Sequence, residues 1–163
     1  MSAIHTDQSV PQVREYRPAQ FEQLWALDQQ CFSSNIAYSR EELAHYLASK
    51  TSICLVASEQ DQILGFILGD YHRGLAHIVT LDVAPTSQRS GLGSTLIRSL
   101  EQRFTSEECT SVSLEVAVNN RAALAFYKAH GYCVLKTLRR YYPGGLDGLV
   151  MRKRIGSGLR AAP

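Results

Sequence analysis

The sequence lacks the features that mark several large classes of protein. Its cysteines form no C-x-x-C pair and show no ligand spacing with histidine, so neither a disulfide framework nor a metal site is expected. No stretch approaches the roughly 20 apolar residues of a membrane-spanning helix, and the polar N-terminus has no apolar segment of a secretion signal. These absences predict a cytoplasmic protein with reduced thiols and no membrane partner. The four cysteines are Cys31, Cys54, Cys109 and Cys133.

An excess of charge of one sign is also missing. Lys and Arg number 17 against 15 Asp and Glu, which gives a formal net charge of +2. Such a balance argues against nucleic acid as the main partner, because phosphate-backbone binding requires many cations. The 163 residues, 45% of them hydrophobic, suit one domain with a packed core. That domain is expected over residues 13–155, between flexible segments at residues 1–12 and 156–163.

Hydrophobic periodicity predicts strands that alternate with helices in the order β-α-α-β-β-β-α-β-α-β-β. Ser39 and Glu42 have the spacing of a capping box, which predicts the start of the second helix. The predicted inner face of that helix consists of Leu43, Tyr46 and Leu47. The third helix carries an apolar stripe at intervals of four residues, formed by Leu92, Leu96, Leu100 and Phe104.

The two strands that flank this third helix carry polar residues of interest. Simple alternation along residues 77–83 predicts one face formed by His77, Val79, Leu81 and Val83. The opposite face is predicted to carry Ile78, Thr80 and Asp82. In the following strand, at residues 111–118, Glu115 shares a face with Ser113 and Ala117. A strand, a helix and a strand in this order favour a parallel crossover.

The hexamer Gln88-Arg89-Ser90-Gly91-Leu92-Gly93 lies between the end of a strand and the start of the third helix. A helix N-terminus leaves backbone N–H groups unpaired, and glycines let an anion approach them closely. An ordinary glycine-rich turn is the alternative interpretation. A phosphate-binding P-loop is excluded because no Gly-Lys-Ser/Thr follows, and a dinucleotide fingerprint is excluded because Leu96 stands where its third glycine belongs.

Two stretches together resemble a known family. V-A-P-T-S-Q-R-S-G-L-G-S-T-L-I, at residues 83–97, resembles motif A of the GNAT superfamily of acyl-CoA-dependent N-acyltransferases, with Gln88, Gly91 and Gly93 in the loop pattern Q/R-x-x-G-x-G/A. L-E-V-A-V-N-N-R-A-A-L-A-F-Y-K-A-H-G-Y, at residues 114–132, resembles the matching motif B. Within the superfamily the sequence is most similar to ribosomal-protein-alanine acetyltransferases of the RimI type and to related N-terminal acetyltransferases.

The resemblance implies an α/β (α+β) GNAT fold, a mixed twisted sheet of about six to seven strands flanked by about four helices, with the fourth and fifth strands parallel and splayed. It also implies acetyl-CoA as cosubstrate and no metal. The backbone of the fourth strand is then expected to pair with the pantetheine arm, the loop to wrap the pyrophosphate, and Asn120 to hold the pantetheine end. The cofactor-binding residues expected on this basis are Leu81, Asp82, Val83, Gln88, Arg89, Ser90, Gly91, Leu92, Gly93, Ser94, Asn120 and Tyr127.

For catalysis, the resemblance implies direct attack of an amine on the thioester in a ternary complex. Glu115 matches the glutamate proposed as base in the RimI type, and Tyr127 matches the proton donor. His77 is the competing base, because related N-terminal acetyltransferases place a histidine or tyrosine at that strand position. A solvated carboxylate for Glu115 and a core aromatic for Tyr127 are the alternatives. The other four histidines are predicted to be surface groups.

The expected acceptor is a protein or peptide N-terminus. An α-amino group has a pKa of about 7.7–8.0 against about 10.4 for lysine, so it offers far more neutral amine at pH 7. Tyr141 and Tyr142 resemble the tyrosine pair with which N-terminal acetyltransferases bind a peptide; an exposed aromatic turn is the alternative. Phe32 and Tyr38 are expected to form the other wall. The loop between them lacks the proline-aromatic pair of the RimI-like pattern and has Ile36-Ala37-Tyr38 instead, which leaves the particular substrate open.

Two other functions remain as alternatives. Acetylation of a small amine or a lysine side chain would require an acidic acceptor pocket and little dependence on Tyr141 and Tyr142. A non-catalytic CoA-binding sensor or partner module would not need Glu115 and Tyr127. The oligomeric state and any partner subunit are left open by the sequence.

Overall fold

Within residues 11–156, which the computed structural model describes, seven strands form one mixed sheet flanked by four α-helices, as expected. The strands are β1 (Gln12–Glu15), β2 (Ser52–Glu59), β3 (Gln62–His72), β4 (Leu75–Val83), β5 (Ser111–Ala117), β6 (Cys133–Tyr142) and β7 (Leu146–Arg154). The helices are α1 (Phe21–Cys31), α2 (Arg40–Ala48), α3 (Leu92–Ser106) and α4 (Arg121–Ala129). The segments 1–12 and 156–163, for which flexibility is predicted, lie outside the described residues except at positions 11, 12 and 156, and Gln12 begins β1.

Local side-chain bonds fix where two of these helices begin. Ser39 Oγ accepts from the backbone N–H of Glu42 at 3.1 Å, and Glu42 Oε2 accepts from the backbone N–H of Ser39 at 2.9 Å. The predicted capping box is therefore confirmed. At the start of α4, Asn120 Oδ1 accepts from the N–H of Ala123 at 3.1 Å. Each bond satisfies a backbone donor that the first turn leaves unpaired.

The strand order in the sheet is β1-β2-β3-β4-β5-β7-β6, and β4 and β5 are its parallel pair. Their ladder has three rungs, which join Leu75 to Ser111, Ala76 to Val112 and His77 to Ser113. Beyond His77 the two strands separate. The predicted parallel, splayed arrangement is confirmed, and the separation leaves an edge of β4 open within the sheet.

The sheet is covered on both faces. The stripe of α3 is fully buried and packs with strand residues such as Leu114 and Met151, while α4 packs partly against the same core. On the other face, Leu24 of α1 and Leu43 of α2 pack against Phe66 and Leu68 of β3. Helices α3 and α4 therefore lie on one side of the sheet, and α1 and α2 on the other.

A β-bulge interrupts β4. Leu68 pairs with Thr80 and the next residue, Gly69, pairs with Ile78, so Val79 is an extra residue on β4. Ile78 belongs to the core under α3, Val79 packs against the core under α1 and α2, and Leu81 again packs on the α3 side. The predicted single face of His77, Val79, Leu81 and Val83 is therefore wrong, because the bulge exchanges the faces.

Candidate active site

A cleft opens where β4 and β5 separate. Its volume is about 270 Å³, and its lining combines both strands with α4, the α1–α2 loop (residues 32–39), α2 and the β6–β7 hairpin. Many of the side chains predicted for catalysis or binding line it: Phe32, Tyr38, His77, Leu81, Glu115, Asn120, Tyr127, Tyr141 and Tyr142. Residues far apart in sequence thus meet at the place where the parallel ladder ends.

His77 and Glu115 are bonded to each other across this opening. His77 Nε2 lies 2.5 Å from Glu115 Oε2, and His77 Nδ1 lies 3.6 Å from Asp70 Oδ1. The sheet register explains the cluster, because His77 pairs with Asp70 on β3 and with Ser113 on β5, two residues before Glu115. One imidazole is therefore flanked by two carboxylates, and we refer to Asp70, His77 and Glu115 as the acidic cluster.

The carboxylates determine the protonation state of the ring. Burial alone lowers the pKa of His77, but the interactions with Asp70 and Glu115 outweigh burial and raise that pKa to about 9. His77 is therefore an imidazolium at neutral pH and has no lone pair to accept another proton. Glu115 has carboxylate oxygens that can accept a proton, so the two candidate bases differ in their ability to take a proton from an amine.

Tyr127 lies on α4 and lines the same cleft. Its ring packs edge-on against Phe126 and Tyr132, with centroid distances of 5.2 and 5.8 Å. Burial, with a further contribution from Asp82, raises the pKa of Tyr127 well above its usual range. The phenol is therefore held in its neutral, protonated form.

Four further tyrosines line the cleft. Tyr38 and Tyr46 meet edge-on at 5.7 Å, and Tyr141 and Tyr142 are nearly perpendicular at 4.9 Å. Tyr141 is 49% exposed and its ring lies over Gly148, where an added Cβ would come within 3.1 Å of it. The residue at position 148 must therefore be small for Tyr141 to take this place.

The α1–α2 loop is fastened to the sheet through Tyr38. Its hydroxyl donates to the carbonyl of Val79 at 3.3 Å, and its backbone N–H donates to Asp28 Oδ2 at 2.7 Å. Its carbonyl accepts from Trp25 Nε1 at 3.2 Å and from Gln29 Nε2 at 2.7 Å. The loop wall of the cleft thus depends on bonds to β4 and α1.

The glycine-containing segment precedes α3 without any side-chain cap. Gly91 is the N-cap, in the left-handed region at φ 84°, and the first turn carries no acidic residue. A Cβ added at Gly91 would point into open space, whereas one at Gly93 would come within 3.3 Å of Phe126. The first N–H groups of α3 therefore have no side-chain acceptor among residues 11–156 and suit an anion.

Side chains around this segment hold its shape. Gln88 Nε2 donates to the carbonyl of Val83 at 3.1 Å, and Ser90 Oγ donates to the carbonyl of Ser87. Ser94 Oγ lies 2.9 Å from His130 Nε2, and His130 Nδ1 lies 2.8 Å from the carbonyl of Phe126. His130 is half-buried rather than on the surface as predicted, because α4 packs it against the start of α3.

One predicted cofactor residue is oriented away from the cleft. The Asp82 side chain is buried and accepts a hydrogen bond from Thr80 on the side of the sheet covered by α1. The bulge at Val79 is the cause, because it turns Leu81 toward the α3 side and Asp82 away from it. Only the backbone of Asp82 remains near the open edge of β4.

The arrangement contains no recognisable metal centre in the described part of the chain. No group of three or more His, Cys, Asp or Glu side chains among residues 11–156 is placed to hold a metal ion. None of the helices over the same range is long and apolar enough to cross a membrane.

A sequence model of the acetyltransferase (GNAT) family matches residues 21–132. The chain belongs to the GNAT acetyltransferase family. GNAT enzymes use acetyl-CoA, and the match includes the β4–α3–β5–α4 unit that forms the cleft.

Two curated relatives are similar to this GNAT chain. It is 36% identical over 103 residues to an uncharacterized N-acetyltransferase of Methanocaldococcus jannaschii, across 62% of this chain and 66% of that protein. It is 35% identical over 115 residues to the catalytic subunit of the N-terminal acetyltransferase B complex of Schizosaccharomyces pombe, across 63% of this chain and 62% of that protein. The aligned part thus spans less than two thirds of either relative.

A solved structure shows the same GNAT fold. The ribosomal-protein-S18-alanine N-acetyltransferase of Escherichia coli superposes with a TM-score of 0.84 at 20% identity, covering 94% of this chain and 99% of that one.

Tyr46 of the GNAT cleft and Asp70 of the acidic cluster are absent from the predicted site residues. Tyr46 packs against the core as predicted and also lines the cleft, as does Ile36 of the predicted loop wall. Asp70 reaches His77 through the antiparallel pairing of β3 and β4. Local periodicity cannot identify Asp70 as the cross-strand partner of His77. The sequence signal for it is an acidic residue near the end of the strand that precedes the His77 strand.

Proposed function

We propose that this protein transfers the acetyl group of acetyl-CoA to the α-amino group of a protein or peptide N-terminus. The observation that carries the proposal is the meeting, in one cleft, of His77 and Glu115 with Tyr127 and four further tyrosines. The 35% identity with the catalytic subunit of an N-terminal acetyltransferase complex supports it.

The open edge of β4 suits the pantetheine arm of acetyl-CoA. The carbonyls of Val79 and Val83 accept bonds from Tyr38 and Gln88 and therefore point away from β3. Leu81 lies midway between them, so its N–H and C=O point to the same open side. An amide-bearing chain can pair there as an added strand, with the pyrophosphate at the uncapped start of α3.

The protonation state of His77 supports the following division of catalytic roles. Glu115 accepts the proton that the acceptor amine loses, directly or through one water, since the imidazolium of His77 cannot. The amine nitrogen bonds to the thioester carbon, the carbon–sulfur bond breaks, and the O–H of Tyr127 protonates the departing thiolate. His77 is a positioning residue in this scheme, because its N–H bonds to Glu115 and orients that carboxylate.

The charge of the acidic cluster favours a single ammonium group as acceptor. Two carboxylates and one imidazolium sum to −1, which attracts a protonated N-terminus by electrostatics. The surrounding walls are aromatic rather than acidic, with Tyr46 and Tyr141 near the cluster. Aromatic walls suit a peptide chain better than a polycationic small amine.

A panel of acceptors tests the proposal. Short peptides with free or blocked N-termini, polyamines and aminoglycosides are incubated with acetyl-CoA, and products are identified by mass spectrometry. We expect acetylation of free N-termini and none of the blocked peptides. Transfer to small amines alone would support the small-amine alternative, and acetyl-CoA binding without any transfer would support a sensor.

A further inference from the structure

Two buried carboxyl groups lie between α1 and β4, outside the cleft lining. Asp28 is 0% exposed and Asp82 is 1% exposed. One oxygen of each is satisfied: Asp28 Oδ2 accepts from the N–H of Tyr38 at 2.7 Å, and Asp82 Oδ1 accepts from Thr80 Oγ1 at 2.5 Å. The two remaining oxygens, Asp28 Oδ1 and Asp82 Oδ2, are buried and have no other donor within residues 11–156.

No cation offsets this pair in the described part of the chain. Neither carboxyl takes part in a salt bridge there. The titratable groups that interact electrostatically with the pair carry no positive charge. They come from α1, β2, α2, the α1–α2 loop and α4, and are Cys31, Cys54, Glu42, Tyr38 and Tyr127. Two ionised carboxylates in contact under these conditions repel each other without compensation.

A single proton on this pair would give both unpaired oxygens a partner and remove the repulsion between two charges. The carboxyl groups of Asp28 and Asp82 are hydrogen-bonding neighbours. An O–H on Asp82 Oδ2 can donate to Asp28 Oδ1, which satisfies both orphan oxygens and leaves one charge instead of two. Burial raises the pKa of Asp82 well above its usual range, and the charge of Asp28 raises it further.

We propose that Asp28 and Asp82 share one proton at neutral pH and that this acid pair positions the α1–α2 loop. Asp28 holds the N–H of Tyr38, and Tyr38 also holds the carbonyl of Val79 on β4. Loss of the proton would separate α1 from β4 by repulsion and release the loop. The shared proton does not depend on the proposed function, whereas the effect on the binding of a peptide acceptor rests on that function.

Infrared spectroscopy tests the proton directly. Wild-type protein at pH 7 is expected to show the carbonyl band of a protonated carboxyl group, and Asp82→Asn is expected to lose it. Asp61→Asn, at an exposed turn residue, is the matched control and should keep the band. Absence of the band from wild-type protein at pH 7, or its persistence in Asp82→Asn, would overturn the shared proton.

The fluorescence of Trp25 tests the positioning role. It is the single tryptophan of the chain and its Nε1–H donates to the carbonyl of Tyr38. In Asp28→Ala, which leaves the N–H of Tyr38 without its acceptor, we expect an altered emission spectrum. In Asp82→Asn, whose amide can donate to Asp28 as the acid does, we expect the wild-type spectrum. Equal spectra for wild type and Asp28→Ala would refute the positioning role.

Kinetics give a separate measure of the consequence for catalysis. Asp28→Ala should raise the peptide KM about tenfold, since an unsatisfied buried group weakens the loop wall, with little change in the Kd of acetyl-CoA. The single variant Asp82→Asn should keep the wild-type KM. An unchanged KM in Asp28→Ala would refute the effect on the acceptor. If wild-type protein acetylates no peptide, the proposed function fails, while the infrared and fluorescence results still decide the acid pair.

Discussion

Replacing His77 by Gln is expected to change how the free energy of unfolding depends on pH. The native pKa of His77 is raised from 6.5 to about 9 by Asp70 and Glu115 against the effect of burial. Between these two values the folded protein binds more protons than the unfolded chain, so stability falls as pH rises. The stabilisation is thus fully present below pH 6.5 and is lost as pH increases through 9.

The magnitude follows from the same shift. At about 1.36 kcal/mol per pKa unit, a shift from 6.5 to about 9 corresponds to about 3 kcal/mol. The His77 side chain is 34% exposed, so solvent screening reduces the expected contribution to about 1–2 kcal/mol. Wild-type protein should lose that much relative to His77→Gln between pH 6 and pH 9.5.

Urea unfolding followed by Trp25 fluorescence at a series of pH values provides the assay, and the difference between the two proteins cancels titrations that they share. His72→Gln, at an exposed position on the same hairpin, is the control and should parallel the wild type. A difference between wild type and His77→Gln that stays constant, or grows, from pH 6 to pH 9.5 would show that the ring is not held as an imidazolium.

Four further substitutions test the proposed roles. Tyr127→Phe should lower kcat by about 10²-fold while leaving the Kd of acetyl-CoA nearly unchanged by calorimetry, and an unchanged kcat would remove Tyr127 as proton donor. Glu115→Gln should lower kcat by a similar factor, and retention of full activity when chemistry limits the rate would assign the base elsewhere. Tyr141→Ala should raise the peptide KM with little effect on unfolding, because its ring is half exposed; an unaffected KM would contradict the peptide-binding role. Gly91→Ala should destabilise the protein by ~1 kcal/mol, because alanine is strained at a φ of 84°, and an unchanged Tm would contradict this.

Features that depend on neighbouring residues could be predicted from the sequence. The capping box at Ser39 and the stripe that includes Leu96 and Leu100 are decided within one or two turns of helix, and both are found as predicted. The resemblance of residues 83–97 and 114–132 to family motifs supplied the splayed pair of strands, which periodicity alone does not reveal.

Features that depend on register could not be predicted in the same way. The bulge at Val79 is an irregularity in the pairing with β3, and it reverses the faces on which Leu81 and Asp82 lie. The contact of Asp70 with His77 and that of Ser94 with His130 join residues on different elements. These contacts arise from the packing of the whole chain, which no short pattern encodes.

The three-rung ladder between β4 and β5 has a consequence for cooperativity. Strands β1 to β4 form one antiparallel group and strands β5 to β7 another; within residues 11–156, the backbone bonds that join the two groups are confined to residues 74–77 of the first group. Helix α3 packs chiefly on β2, β3 and β4, and its buried stripe shares one core with Leu114 and Met151 of the second group. A ligand that pairs with the open edge of β4 would add to this bridge, so its binding should protect amides on both sides of the gap from local opening.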